Sequence, residues 1–204
     1  AYRVCKQSLI TRSSDKVKVY ALKQYELRSM GFYKRDIDPL ASTEFTYTRF
    51  LIPALMNYNG WAVFCDCDLL FLKDVKDLFK GLSDDKAVYC VKHDYTPSEK
   101  PKMDGQQQTI YPRKNWSSFI VFNCGHPSNK KLDLELVNKE SGSFLHQFKW
   151  LEDNEIGSLD ALIDVVCVCA AVEYLNPIKI FCSNPPAGSG TIRTAHGSLP
   201  VPVP

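Results

Sequence analysis

"GWAVFCDCDLLFL", residues 60–72, is almost entirely apolar yet carries two carboxylates, Asp66 and Asp68, one residue apart. An ionised carboxylate withdrawn from water costs on the order of several kcal/mol unless it is paired, hydrogen-bonded or bound to a cation. The run from Trp61 to Cys65 predicts a strand covered on both faces, because its hydrophobicity is continuous rather than alternating. Carried on through Asp68, a period of two turns both carboxylates to one face and Cys65 and Cys67 to the other. Two oxygen donors converging at the carboxyl end of a strand form the start of a divalent-cation site of the Mg²⁺, Mn²⁺ or Ca²⁺ type. The alternative is a strand-to-turn junction in which both are solvated or cap the helix that begins near Asp74. An EF-hand does not fit, since the loop lacks Gly at its sixth position and Glu at its twelfth.

Working outward, residues 2–12 predict a helix and "VKVYAL" at 17–22 a strand. A helix capped by Ser42 or Thr43, with Glu44 in its first turn, presents Tyr47, Phe50, Leu51, Ala54, Leu55 and Tyr58 on one face. Pro53 falls inside it and should kink or shorten it. "DVKDLFKGL" reads as a short helix closed by Gly81, and "AVYCVK" at 87–92 and "SSFIVFN" at 117–123 read as buried strands. Residues 128–150 read as mainly helical, and the polar stretch from His93 to Asn115 as a long loop of the kind that usually serves function. Strands separated by helices predict an α/β sandwich with a mostly parallel central sheet flanked by helices.

The chain has 204 residues, 45% hydrophobic and 24% charged, with a net charge of +2. That is enough for one sizeable core. The balance argues against nucleic-acid binding, since no basic run or helix stands out. No apolar stretch reaches the roughly 20 residues of a membrane-spanning helix. Cys65, Cys67, Cys90, Cys167 and Cys169 sit in apolar runs where free cysteine behaves as a small hydrophobe, which fits a reducing, cytoplasmic setting. For the same reason core packing is preferred to a zinc set built from Cys65, Cys67, Cys90 and His93.

The helix, apolar strand and Asp-Cys-Asp together resemble the nucleotide-sugar-dependent glycosyltransferases of the GT-A (Rossmann-like) fold, near glycosyltransferase family 8. "TYTRFLIP" at 46–53 is similar to the helix before that family's metal motif, "SSFIVFNCG" at 117–125 to its acceptor-side strand end, and "WLEDNEIG" at 150–157 to its later acidic segment. The resemblance implies a transferase that moves a sugar, with retention by analogy, from a nucleoside diphosphate sugar such as a UDP-sugar to an acceptor. Mn²⁺ or Mg²⁺ on Asp66 and Asp68 would then neutralise the leaving diphosphate. It further implies donor contacts from Asp66, Arg49, Lys92, Asp104 and Gln106, and catalytic roles for Asp153 and Asn123. Lys92, His93, Asp94, Asp104, Gly105 and Gln106 would form a lid.

The resemblance covers residues 2–157 and implies a glycosyltransferase domain over 1–157, lacking the family's first strand. A divergent tail follows over 158–204, whose ending is rich in Pro, Gly and Ser and reads as partly disordered. Two other readings stand beside the transferase. One is a nucleotidyltransferase on a similar sheet; the other is a non-catalytic fragment that serves as a binding module.

Overall fold

The computed structural model describes residues 2–36, 46–92, 113, 116–159, 165–166, 173–174 and 178–183. Helix α1 (Tyr2–Arg12) leads into strand β1 (Val17–Leu22) and helix α2 (Gln24–Ser29). A 3-10 turn at Thr48–Leu51 then passes into helix α3 (Ile52–Leu55). Pro53 stands in the first turn of α3, where its missing N–H costs nothing, so it marks the change of helix type instead of a kink. Tyr47, Phe50, Leu51, Ala54 and Leu55 are buried as their spacing predicts, but Thr48, Arg49, Ile52, Pro53 and Met56 are buried too, so this segment is enclosed all round. The expected caps, Ser42 or Thr43 with Glu44, lie outside the described residues.

Beyond α3 the chain reverses through Asn57 and Tyr58, both in the left-handed region, and Gly60 at φ 70°. It enters strand β2 (Trp61–Cys65), whose residues after Trp61 are all buried. Strand β3 (Leu70–Phe71) follows, then a 3-10 turn at Val75–Phe79 capped by the Asp74 carboxylate, which accepts from the Lys76 N–H at 3.0 Å. Strands β4 (Val88–Cys90) and β5 (Phe119–Asn123) are fully buried. The expected helical stretch 128–150 is broken into a 3-10 turn, α4 (Leu134–Lys139) and α5 (Gly142–His146). Asp133 and Ser141 restart the helices by accepting from the N–H groups of Leu136 and Phe144. Strands β6 (Ile156–Ser158), β7 (Val165–Val166), β8 (Glu173–Tyr174) and β9 (Ile178–Ser183) complete the order.

Seven strands share one sheet in the order β1-β9-β2-β5-β4-β6, with β8 also paired to β2, while β3 and β7 form a separate ribbon. The class is mixed α/β. The directions bear out a mostly parallel sheet: β1, β9, β2, β4 and β6 all run the same way, while β5 runs antiparallel to both its neighbours and β8 antiparallel to β2. Strand β9 therefore sits between β1 and β2 and supplies β1 with its partner in the sheet.

Phe50, Phe64, Phe122 and Phe148 are the largest fully enclosed side chains of the core. At one rim Asn129, fully buried, donates from Nδ2 to the carbonyls of Ala87 and Asn123 at 2.7 Å and accepts from Trp150 Nε1 at 3.3 Å. Three chain segments are tied by one amide. Cys5, Cys65, Cys67, Cys90 and Cys124 are free thiols, four of them buried, as small hydrophobes should be; Cys167 and Cys169 lie outside the described residues. Among the described residues no helix is long and apolar enough to cross a membrane.

Candidate functional site

Strand β2 stops at Cys65, and Asp66 through Asp68 form a turn. The strand alternation that would aim both carboxylates at one ion therefore does not extend to them. Asp66 stays fixed to the sheet by its N–H, which donates to the Ser118 carbonyl at 3.0 Å. Its burial is compensated by Arg49, whose Nη2 lies 2.9 Å from Oδ1 and whose Nη1 lies 3.4 Å from Oδ2. The pair is close but skewed, and Oδ1 accepts no aligned hydrogen bond among the described residues.

Arg49 is 5% exposed; its Nη1 donates to the Ser117 carbonyl at 2.6 Å, and its guanidinium lies 4.6 Å from the centre of the Phe64 ring. Ser117 Oγ lies 2.6 Å from His146 Nδ1, and the imidazole packs edge-on against Phe50. Burial is the first cause of three shifts in this cluster. It lowers Arg49 against the opposing pull of Asp66. It raises Asp66, with Arg49 opposing and the charge of Asp68 adding to the rise. It lowers His146 to about 3, helped by the neighbouring Arg49 charge. The imidazole is thus neutral, with Nδ1 in hydrogen-bond contact with the Ser117 hydroxyl and the Thr46 backbone hydrogen-bonded to the ring.

The sheet directions separate the remaining candidates. Asn123 is in register with Trp61, whereas Phe119 faces Cys65, so Asn123 lies at the end of β2 opposite Asp66. Five residues of strand put it about 17 Å away. There Asn123 Nδ2 donates to the carbonyls of Asp84 and Lys86, the turn-serving use of a strand-end amide. Asp153 precedes β6, whose Ile156 is in register with Val88 and, across β4, with Phe122, so the chain enters β6 from the Asn123 side. Its side chain is 94% exposed and ion-paired with Arg113.

Lys92 does leave β4 at the Asp66 rim, but it is exposed; its Nζ donates to the Ile156 carbonyl at 2.8 Å and lies 5.6 Å from the centre of the Trp116 ring. Asp68 is exposed. Asp104 and Gln106, with His93, Asp94 and Gly105, lie outside the described residues. What the fold gathers is Arg49, Asp66, Ser117 and His146. The last two escape a sequence reading, since a serine before a strand and a histidine in a short helix carry no local signature. Among the described residues no three His, Cys, Asp or Glu side chains converge as a metal site.

A family model described as nickel insertion protein matches residues 146–204. Protein CDI of Arabidopsis thaliana is 54% identical over 159 residues, covering 78% of this chain and 61% of that protein. Two proteins named for nickel insertion match 51 residues, at 47% identity in Cyanothece sp. and 49% in Synechocystis sp.; in each case this is 25% of this chain and 12% of the relative. The chain thus spans about three fifths of the first relative and about an eighth of the others. No solved structure matches it.

These findings overturn the glycosyltransferase resemblance. The family that matches is the nickel insertion one, and the relatives are named for nickel insertion or as Protein CDI, none as a glycosyltransferase. The transferase activity, the UDP-sugar donor with its acceptor, and the Mn²⁺ or Mg²⁺ cofactor fall with it. The physical source of the error is legible in the cluster: the compensation that the buried carboxylate of Asp66 demands comes from Arg49, not from a cation beneath a diphosphate. Over its last quarter and more, the chain is similar to proteins named for nickel insertion.

Proposed function

We propose that this chain takes part in nickel handling and binds Ni²⁺ as cargo through its C-terminal portion. The observation that supports this is the match of residues 146–204 to the nickel insertion family. The chemistry of the segment agrees with it. Cys167, Cys169, Cys182 and His196 fall within the matched residues, and thiolate and imidazole are donors that Ni²⁺ takes in preference to Mg²⁺ or Mn²⁺. The side chains of these four residues lie outside the described ones. Asp66 and Asp68 offer only hard oxygen donors, and one of them is engaged by Arg49, so they are no part of the nickel site.

Titration calorimetry of the full chain with NiCl2, and separately with MnCl2, tests this. Ni²⁺ is expected to bind and to release protons as thiols ionise. Binding is expected to weaken by at least about tenfold in Cys167→Ser/Cys169→Ser and to be unchanged in Asp68→Asn. Absence of Ni²⁺ binding, or loss in Asp68→Asn with the double serine variant unaffected, overturns it.

A further inference from the structure

The register of β9 brings two cysteines together. Cys182 is the Cα partner of Cys65 on β2 and, on its other side, of Ala21 on β1. Cys65 is in turn paired with Phe119 on β5, so one row across the sheet reads Ala21, Cys182, Cys65, Phe119. Register partners on neighbouring strands share a face of the sheet, and the strands lie about 4.8 Å apart. A disulfide accepts Cα separations of about 4.4–6.8 Å. The two cysteines are remote along the chain, so it is the strand order that makes the pair.

Their place along the strands matters as much. Cys65 is the last residue of β2, and Cys182 the last but one of β9. Strand ends open more readily than strand centres, which admits a small oxidant and lets the two backbones draw together for a bond. The row is also low on the β1 side, where Ala21 carries only a methyl group and is half-buried. Cys65 is fully enclosed, so exchange begins at Cys182.

Cys182 is also one of the donors assigned above to Ni²⁺. We propose that Cys65 and Cys182 form a redox pair that regulates nickel binding, an inference that rests on that assignment: as thiols they leave Cys182 to the ion, and as a disulfide they withdraw it. The oxidant is a low-molecular-mass disulfide such as oxidised glutathione. The Cys182 thiolate attacks one of its sulfurs and expels a glutathione thiolate; the Cys65 thiolate then attacks the Cys182 sulfur of the mixed disulfide and expels the second. The two protein thiols give up two protons and two electrons, and one glutathione disulfide becomes two glutathione thiols. Thiolate is the form of cysteine that binds a metal, so the bonded sulfur no longer serves Ni²⁺ until a thiol reductant releases it.

Treating the folded full chain with oxidised glutathione and mapping its tryptic peptides by mass spectrometry tests the pair. A link between peptides 50–73 and 180–193 is expected. It should survive Cys67→Ser, whose cysteine shares the first peptide, and vanish in Cys65→Ala. Calorimetric titration with NiCl2 is expected to show binding at least about tenfold weaker in the oxidised parent than in the reduced one. Cys65→Ala keeps every assigned nickel donor and should bind Ni²⁺ equally well before and after oxidation. A link made through Cys67, no link in a chain that binds Ni²⁺ when reduced, or equal affinity of the linked and reduced parent overturns the inference and leaves the nickel assignment standing. A link in a chain that binds no Ni²⁺ even when reduced overturns the nickel assignment, and the regulation with it.

Discussion

Arg49 stands beneath Asp66 with Nη2 2.9 Å from Oδ1, and it is the better buried of the two, its side chain 6% exposed against 26%. Removing one member of such a pair strands the other, which costs about 3–5 kcal/mol when both are enclosed. Arg49→Met is therefore expected to destabilise the fold by about 3 kcal/mol or more. Asp66→Asn should cost less, about 1–3 kcal/mol, because Arg49 keeps the Ser117 carbonyl and the Phe64 ring. Urea unfolding of both single variants and the double variant checks this. The double variant should lose clearly less than the sum, and strict additivity would show that the two charges do not depend on each other.

Thr48, the neighbour of Arg49, is 1% exposed, and its hydroxyl has no hydrogen-bond partner among the described residues. Exchanging an unsatisfied buried hydroxyl for a methyl removes a desolvation cost. Thr48→Val is expected to stabilise by about 1 kcal/mol, seen as a higher urea midpoint at unchanged slope. A destabilised Thr48→Val chain would mean that the hydroxyl is satisfied in solution.

His146 should make the fold acid-sensitive. Its pKa falls to about 3 in the fold, below the ordinary imidazole value of 6.5. As pH drops below 6.5 the unfolded chain takes up a proton that the folded chain refuses until about 3, so stability present above that window is lost within it. Asp66 acts in the opposite sense, because its raised pKa lets the folded chain bind a proton first as pH falls. Its contribution offsets part of the loss. Comparing urea midpoints at about pH 7 and about pH 4.5 should show a marked drop for the parent and a smaller one for His146→Gln. Equal drops would assign the acid sensitivity to other groups.

Gly157 lies against Tyr89 so closely that a Cβ there would overlap the ring. Tyr89 cannot swing away freely, since its hydroxyl accepts from the Ser83 N–H at 2.6 Å. Gly157→Ala is expected to cost about 1–3 kcal/mol, and Tyr89→Ser in the same chain should recover part of that loss. No recovery in the thermal midpoint of the double variant would locate the cost in the β6 backbone instead.

A chain ending at residue 159 would lose β9. That leaves β1 without its partner in the sheet and opens one edge of β2. Such exposed edges recruit other chains. Size-exclusion chromatography should show the shortened protein associating or unfolded; a monomer with the parent's thermal midpoint would refute the strand order.

The elements that the sequence makes plain are those with strong local signals. α1, β1, β2 and β5 stand where the sequence predicts them, whereas the breaks at Asp133 and Ser141 inside the expected helical stretch 128–150 go unread, although both residues are of a type that favours caps. Strand direction is another matter, because a run such as "FIVFN" is equally apolar read either way. Pairing decides whether Asn123 ends beside Asp66 or beside Trp61, and that pairing is tertiary. The same holds for the site. Two aspartates in an apolar run state that compensation is needed, but a metal and an arginine seventeen residues upstream satisfy the requirement equally well on paper. "IKIFCS" at 178–183 alternates as a strand should, yet nothing local places it between β1 and β2.

That position of β9 has a consequence for biosynthesis. Val17 meets Ile178 across parallel strands, two residues about 160 apart along the chain, and such distant closures slow a folding reaction. A ribosome has to release the chain past Ser183 before the middle of the sheet can be filled. Until then β1 and β2 wait as neighbours with a gap between them, a period in which a chaperone has more to offer this protein than its finished shape would imply.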